Sequence, residues 1–86
     1  MREVIVYSRD GCHLCEAMLE QVKPLCHGIA VVVVRDVYTR DDWLTEFGLD
    51  IPVLFLDDRE VCRHYFDERA FLEALNNPVA APRDGG

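Results

Sequence analysis

Ile29-Ala30-Val31-Val32-Val33-Val34 is an unbroken apolar run, mostly β-branched, set between Gly28 and the pair Arg35-Asp36. Side chains that branch at Cβ favour extended backbone. A strand without polar alternation is the pattern of one covered on both faces, as in a parallel sheet. A shorter run, Val4-Ile5-Val6, predicts an earlier strand from Glu3 to Tyr7. Between the two, Cys15, Met18, Leu19, Val22 and Leu25 recur at spacings of three and four. That period predicts a helix from Cys12 to about Leu25, with Pro24 bending or ending its last turn. Two strands joined by one helix in so short a span form a right-handed βαβ unit. The chain is therefore of the α/β class.

The second half adds smaller elements. Thr39-Arg40-Asp41-Asp42 has an acid three residues after a threonine, which predicts a capping box and a short helix. That helix would turn Trp43, Leu44 and Phe47 inward and close at Gly48. Pro52 to Leu56 reads as a third strand. Asp57-Asp58-Arg59-Glu60 reads as a polar turn, and Val61 to Tyr65 as a returning antiparallel strand. Asp67 is a good N-cap for a last helix ending near Leu75, with Phe66 and Phe71 placed for a hydrophobic staple. The order is β-α-β-α-β-β-α with a four-stranded mixed sheet, in one domain over residues 1–75. Residues 76–86, with Pro78, Pro82 and a closing Gly-Gly, are expected to form a flexible tail.

Composition narrows the function classes. At 86 residues there is room for one small domain. A net charge of −7 argues against nucleic acid or an anionic membrane as the main partner. No window approaches the length of a membrane span, and the N-terminus lacks the apolar core of a signal peptide. A cytoplasmic location is the resulting expectation. In a reducing compartment the four cysteines are better read as catalytic, metal-binding or buried than as two structural bridges.

Only Cys12 and Cys15 have a diagnostic spacing. They stand at the start of the first helix, where unpaired N–H groups and the helix dipole favour negative charge. A thiol there ionises more readily, and the thiolate is the reactive form. The three-residue spacing puts Cys15 one turn along the same face, within disulfide reach. Cys12 is the candidate nucleophile and Cys15 the resolving thiol. A zinc knuckle also uses C-x-x-C, but the only second ligand pairs are Cys26-His27 and Cys62-x-His64, and neither has the usual spacing. Cys26 and Cys62 read as small buried hydrophobes. Two readings of His13 stand side by side: a protonated imidazole favouring the Cys12 thiolate, or a solvated side chain without a partner. Leu14 is placed either for an apolar rim or for the core.

The C-x-x-C after the first strand and the Ile51-Pro52 pair entering the third together resemble the thioredoxin fold. The likeness is closest to its small glutaredoxin-like branch, whose function is largely unassigned, and it extends from Glu3 to Leu75. The resemblance implies a three-layer α/β/α domain with a cis-proline at Pro52 beside the dithiol. It implies that the Ile51 backbone pairs with a bound peptide or glutathione in extended form. It further implies a thiol–disulfide oxidoreductase that is a monomer. Its partner would be a disulfide-bearing protein or a glutathione mixed disulfide. No cofactor would be required beyond an external thiol, with glutathione a candidate reductant.

The chain departs from ordinary glutaredoxins in several places. It has Cys-His-Leu-Cys for their Cys-Pro-Tyr-Cys, and in the region of a lysine that often precedes their nucleophile it has Arg9, a candidate cation for a glutathione carboxylate. It has Asp50-Ile51-Pro52 for their Thr-Val-Pro. Arg63-His64-Tyr65-Phe66-Asp67 stands where they carry a Gly-Gly and an Asp for glutathione's γ-glutamyl end. Of these only Asp67 matches, and without the glycines a backbone cannot approach a ligand as closely. Two alternative functions remain: an iron–sulfur protein with Cys12 and glutathione holding a cluster between two subunits, or an interaction module with little turnover.

Overall fold

The chain runs β1 (Arg2–Ser8), α1 (His13–Cys26), β2 (Ala30–Asp36), a 3-10 turn (Val37–Thr39), α2 (Asp41–Phe47), β3 (Val53–Leu56), β4 (Arg59–Arg63) and α3 (Glu68–Asn76). This is a computed structural model that describes residues 1–77. The sheet order is β2-β1-β3-β4. β2 lies parallel to β1, with Arg2 opposite Ala30 and Ser8 opposite Asp36. β3 is antiparallel to β1, and β4 is antiparallel to β3. The β-α-β-α-β-β-α order and the mixed four-stranded sheet are those expected. α3 runs on to Asn76, the first residue of the expected tail, and residues 78–86 of that span lie outside the described residues.

Alternation along β1 builds two cores, because successive side chains point to opposite faces. Val4 and Val6, with Leu54 and Leu56 of β3, pack against Met18, Val22 and Cys26 of α1 and against Phe71 and Ala74 of α3. Ile5 and Tyr7, with Val53, pack on the opposite face against Val37 and Phe47. The Tyr7 ring stacks on Phe47 at 4.2 Å and meets Phe55 and Trp43 edge-on at 5.7 and 5.8 Å. Helices thus cover both faces of one sheet, which is the three-layer arrangement.

β2 departs from expectation. It is an edge strand whose two faces are covered only in part: Ala30 and Val32 pack into one core and Val33 into the other, but Val31 and Val34 are 48 and 49 % exposed. A β-branched run reports extended propensity, whereas coverage depends on what packs beside it. β3 and β4 both lie beyond β1, and the short α2 reaches Val33 but leaves Val31 open.

The second helix also starts differently. Thr39 does not cap it: its hydroxyl donates to the Asp36 carbonyl at 2.7 Å within the 3-10 turn, and Asp36 caps that turn by accepting from Tyr38 N at 2.9 Å. Arg40 takes the N-cap position of α2 without a side-chain bond to the helix and instead forks onto Asp42, both contacts at 2.9 Å. Phe47 is buried and Trp43 half-buried, whereas Leu44 faces solvent. Gly48 closes α2 in ordinary right-handed backbone, so positive φ is not its reason for being glycine. A Cβ there would lie 2.5 Å from the Leu44 carbonyl oxygen, and this close approach is what excludes a side chain.

The remaining local expectations hold in part. Pro24 does not end α1, which continues past it to Cys26. Asp67 caps α3 by accepting from Ala70 N at 3.0 Å, and Phe66 meets Phe71 with ring centroids 5.6 Å apart. The turn between β3 and β4 is only Asp57-Asp58, and β4 ends at Arg63, not Tyr65. An irregularity in its pairing, Leu54 to Cys62 but Phe55 to Glu60, leaves Val61 as the extra residue of a bulge. Arg2 ties the start of β1 to the β3–β4 turn and to α3 by donating to Asp57 at 3.0 Å and to the α3 carbonyl of Leu75 at 2.7 Å.

Phe71 is fully buried between α3 and the sheet. Phe71→Ala should cost about 3–5 kcal/mol, and Asp67→Ala about 1 kcal/mol. Urea unfolding of the two variants should separate them by several-fold in lost stability.

Candidate functional site

The turn Arg9-Asp10-Gly11 leads from β1 into α1, and Gly11 takes φ +73°, which L side chains rarely adopt. That turn delivers Cys12 to the N-cap of α1 in extended conformation (φ −95°, ψ 106°). The Cys12 sulfur accepts the Cys15 backbone N–H at 3.2 Å. It therefore occupies the place of a capping oxygen, satisfying one of the four open donors of the helix start. Cys12 and Cys15 are joined as a disulfide with Cα atoms 5.2 Å apart. Cys12 is 9 % exposed and Cys15 2 %, so the first sulfur is the more accessible.

Sheet register brings a second segment to this end. Tyr7 pairs with Val53, so Pro52 and Ile51 continue beyond the pair toward the end of β1 that leads into the dithiol turn. The Ile51–Pro52 peptide is cis, as the resemblance implies. Pro52 is buried, and Ile51 packs its side chain on the Tyr7 core. The Ile51 amide and carbonyl make no hydrogen bond among the described residues.

The other anticipated site residues are less engaged. His13 is 96 % exposed in its side chain and has Glu16, not Cys12, as its nearest charged partner, at 3.9 Å. Arg9 donates to the neighbouring Asp10 carbonyl at 3.4 Å. Leu14 points out to solvent in the first turn of α1.

A cluster that sequence reading missed lies beside Ile51. Asp50 accepts from Arg63 Nη1 at 2.8 Å and lies 3.4 Å from His64 Nε2. Arg63 also forks onto Glu60, with Nε at 2.5 Å and Nη2 at 3.0 Å, and this hydrogen bonding pushes its pKa up. His64 donates its backbone N–H to the Pro52 carbonyl at 2.7 Å. Its φ is +69°, and Tyr65 N bonds back to the Arg63 carbonyl at 2.7 Å, making a tight three-residue turn. The available sequence signal was Asp50 itself, a charge directly before an X-Pro pair. Its partner stands 13 residues on.

The remaining thiols are remote in chemistry. Burial pushes the pKa of both Cys26 and Cys62 above the usual thiol value. Among the described residues, no group of three or more His, Cys, Asp or Glu is placed to hold a metal ion, and no helix is long and apolar enough to cross a membrane. A hollow of about 390 Å³ runs along the sheet face, from Tyr7 and Arg35 past Ile5 and Phe55 to the acids Glu3, Asp57 and Asp58.

Comparison with known proteins agrees with this fold. The model of a glutaredoxin-like domain (DUF836) matches residues 3–76. The solution structure of protein Ne2328 from Nitrosomonas europaea superposes with a TM-score of 0.78 at 28 % identity, covering 87 % of this chain and 92 % of that one. The germline-specific thioredoxin Deadhead of Drosophila melanogaster superposes at 0.56 with 21 % identity, covering 86 and 77 %, and shares the fold. No curated protein matches the chain.

A raised pKa leaves less thiolate at neutral pH and so slows alkylation. After reduction, iodoacetamide at pH 7 should modify Cys12 first and leave Cys26 and Cys62 largely unlabelled until the protein is denatured. Peptide mass analysis over time gives the order.

Proposed function

The chain belongs to the glutaredoxin-like domain family, and on that footing we propose that it is a thiol–disulfide oxidoreductase with Cys12 as nucleophile and Cys15 as resolving thiol. The observation that carries this reading is the position of Cys12: its sulfur caps α1 and accepts the Cys15 N–H at 3.2 Å. A thiolate in that place keeps the same hydrogen bond, now charge-assisted, and lies at the positive end of the helix dipole. The resolving thiol lies one turn deeper and is nearly inaccessible to a second substrate.

The reaction balances without a cofactor. The Cys12 thiolate attacks one sulfur of a substrate disulfide, forming a mixed disulfide and expelling the other half as a thiolate. Cys15 loses its proton and attacks the Cys12 sulfur. The second substrate half leaves as a thiolate, and the protein ends as the Cys12–Cys15 disulfide. The substrate gains two electrons and the dithiol loses two, and the released thiolates take protons from water. An external thiol reductant restores the dithiol.

The partner we propose is a polypeptide disulfide lying extended along Ile51, whose open amide and carbonyl support strand addition. Glutathione fits less well as a specific ligand. Of the cations that could receive its carboxylates, Arg40 and Arg63 are already paired with Asp42 and with Glu60 and Asp50, which leaves Arg9, bonded to the Asp10 carbonyl alone among the described residues. The Asp67 carboxylate is in use as the α3 cap.

Cys12→Ser should abolish reduction of a model disulfide, whereas Cys15→Ser should accumulate a mixed disulfide on Cys12. Full-rate reduction by Cys12→Ser would overturn the assignment. Trapping with Cys15→Ser in cells, followed by mass analysis of the adduct, separates a protein client from glutathione.

A further inference from the structure

The segment before the cis-proline is held from one side. Asp50, one residue ahead of Ile51, is bonded by Arg63 at 2.8 Å and approached by His64 at 3.4 Å. Arg63 cannot swing freely, because Glu60 on the same strand takes its Nε and Nη2. Its guanidinium also lies 6.0 Å from the centre of the Phe47 ring, at the end of α2. On the other side of Ile51, the Pro52 carbonyl accepts the His64 N–H at 2.7 Å. Ile51 is thus bracketed by two attachments to the end of β4, one ionic at Asp50 and one through the backbone at Pro52. Among the described residues, its own amide and carbonyl have no hydrogen-bond partner.

The bracket has a conformational cost. His64 adopts φ +69°, a region disfavoured for residues with a Cβ, so that its N–H can reach Pro52 and its ring can reach Asp50. A cap or turn that needed only the backbone direction would be served better by glycine. With histidine there, the imidazole adds the second contact to Asp50.

We propose that Arg63 and His64, acting through Asp50, are positioning residues that hold the Ile51 backbone ready to pair with an extended polypeptide disulfide beside Cys12. The proposal rests on the exchange activity proposed above. A small disulfide needs only access to Cys12 and gains nothing from the bracket. A polypeptide that adds as a strand needs the Ile51 amide and carbonyl at fixed positions, and slack in the loop must be removed at each binding event.

The test compares two substrates. One is a disulfide-linked peptide pair with several residues on each side of the cysteine, and the other is hydroxyethyl disulfide. In Arg63→Ala and in Asp50→Asn, KM for the peptide should rise about tenfold, the effect of losing one charge-assisted hydrogen bond, with kcat unchanged. Reduction of hydroxyethyl disulfide should stay within about twofold of wild type, because its one requirement, access to Cys12, is unaltered. Arg63→Lys keeps the charge and one contact but loses the fork, and should fall between wild type and Arg63→Ala. Thermal melting of each variant identifies any general loss of structure, and Asp50→Asn, which preserves shape, serves if Arg63→Ala folds poorly. Equal losses on both substrates, or an unchanged peptide KM, would overturn the positioning role while leaving the exchange reading intact. A wild-type protein inactive on both disulfides overturns the exchange reading and the positioning role with it.

Discussion

β1 is the strand on which the rest of the molecule depends. Its seven residues pair with β2 on one edge, four of them, Val4 to Tyr7, also pair with β3 on the other, and its alternating side chains enter both cores. Val4 and Val6 meet α1 and α3, while Ile5 and Tyr7 meet Phe47 and Val37. Because a strand shifted by one residue exchanges its two faces, this double burial sets the register strongly. The register then decides where the chemistry lies. With Tyr7 opposite Val53, the turn carrying Cys12 and the loop carrying Ile51-Pro52 emerge at the same end of the sheet.

At that end two helix-start rules act on one residue. The first N–H groups of a helix need acceptors, and its first turn favours negative charge. Serine or aspartate usually meets the first need. Here the Cys12 sulfur meets it, so the proposed nucleophile is held by the same contact that starts the helix. Cys26 and Cys62 lie away from this turn, and burial raises the pKa of both.

Some of this was legible residue by residue. The dithiol, its helix, the Asp67 cap with its Phe66–Phe71 staple and the Ile51-Pro52 pair rest on contacts within a few residues, and each is where the sequence places it. The errors arise where two local signals compete or where partners are distant. Thr39 lost the capping role because Asp36 built a 3-10 turn just before it. β2 reads as fully covered, but at the sheet edge its Val31 and Val34 stay half exposed, because apolar character does not count neighbours. Leu44 reads as inward, but in a helix of seven residues only part of one face meets the sheet.

The sequence by itself determined the α/β order, the glutaredoxin-like family and the pair of cysteines at a helix start. These follow from period, spacing and capping chemistry, all of which act over a few bonds. Tertiary structure alone decided which edge β2 occupies and what surrounds Ile51. The Asp50–Arg63–His64 group joins residues on either side of a hairpin, and its geometry depends on the β3–β4 register, on the bulge at Val61 and on the positive φ of His64. None of these is written in local pattern, because each is the outcome of many weak contacts satisfied together.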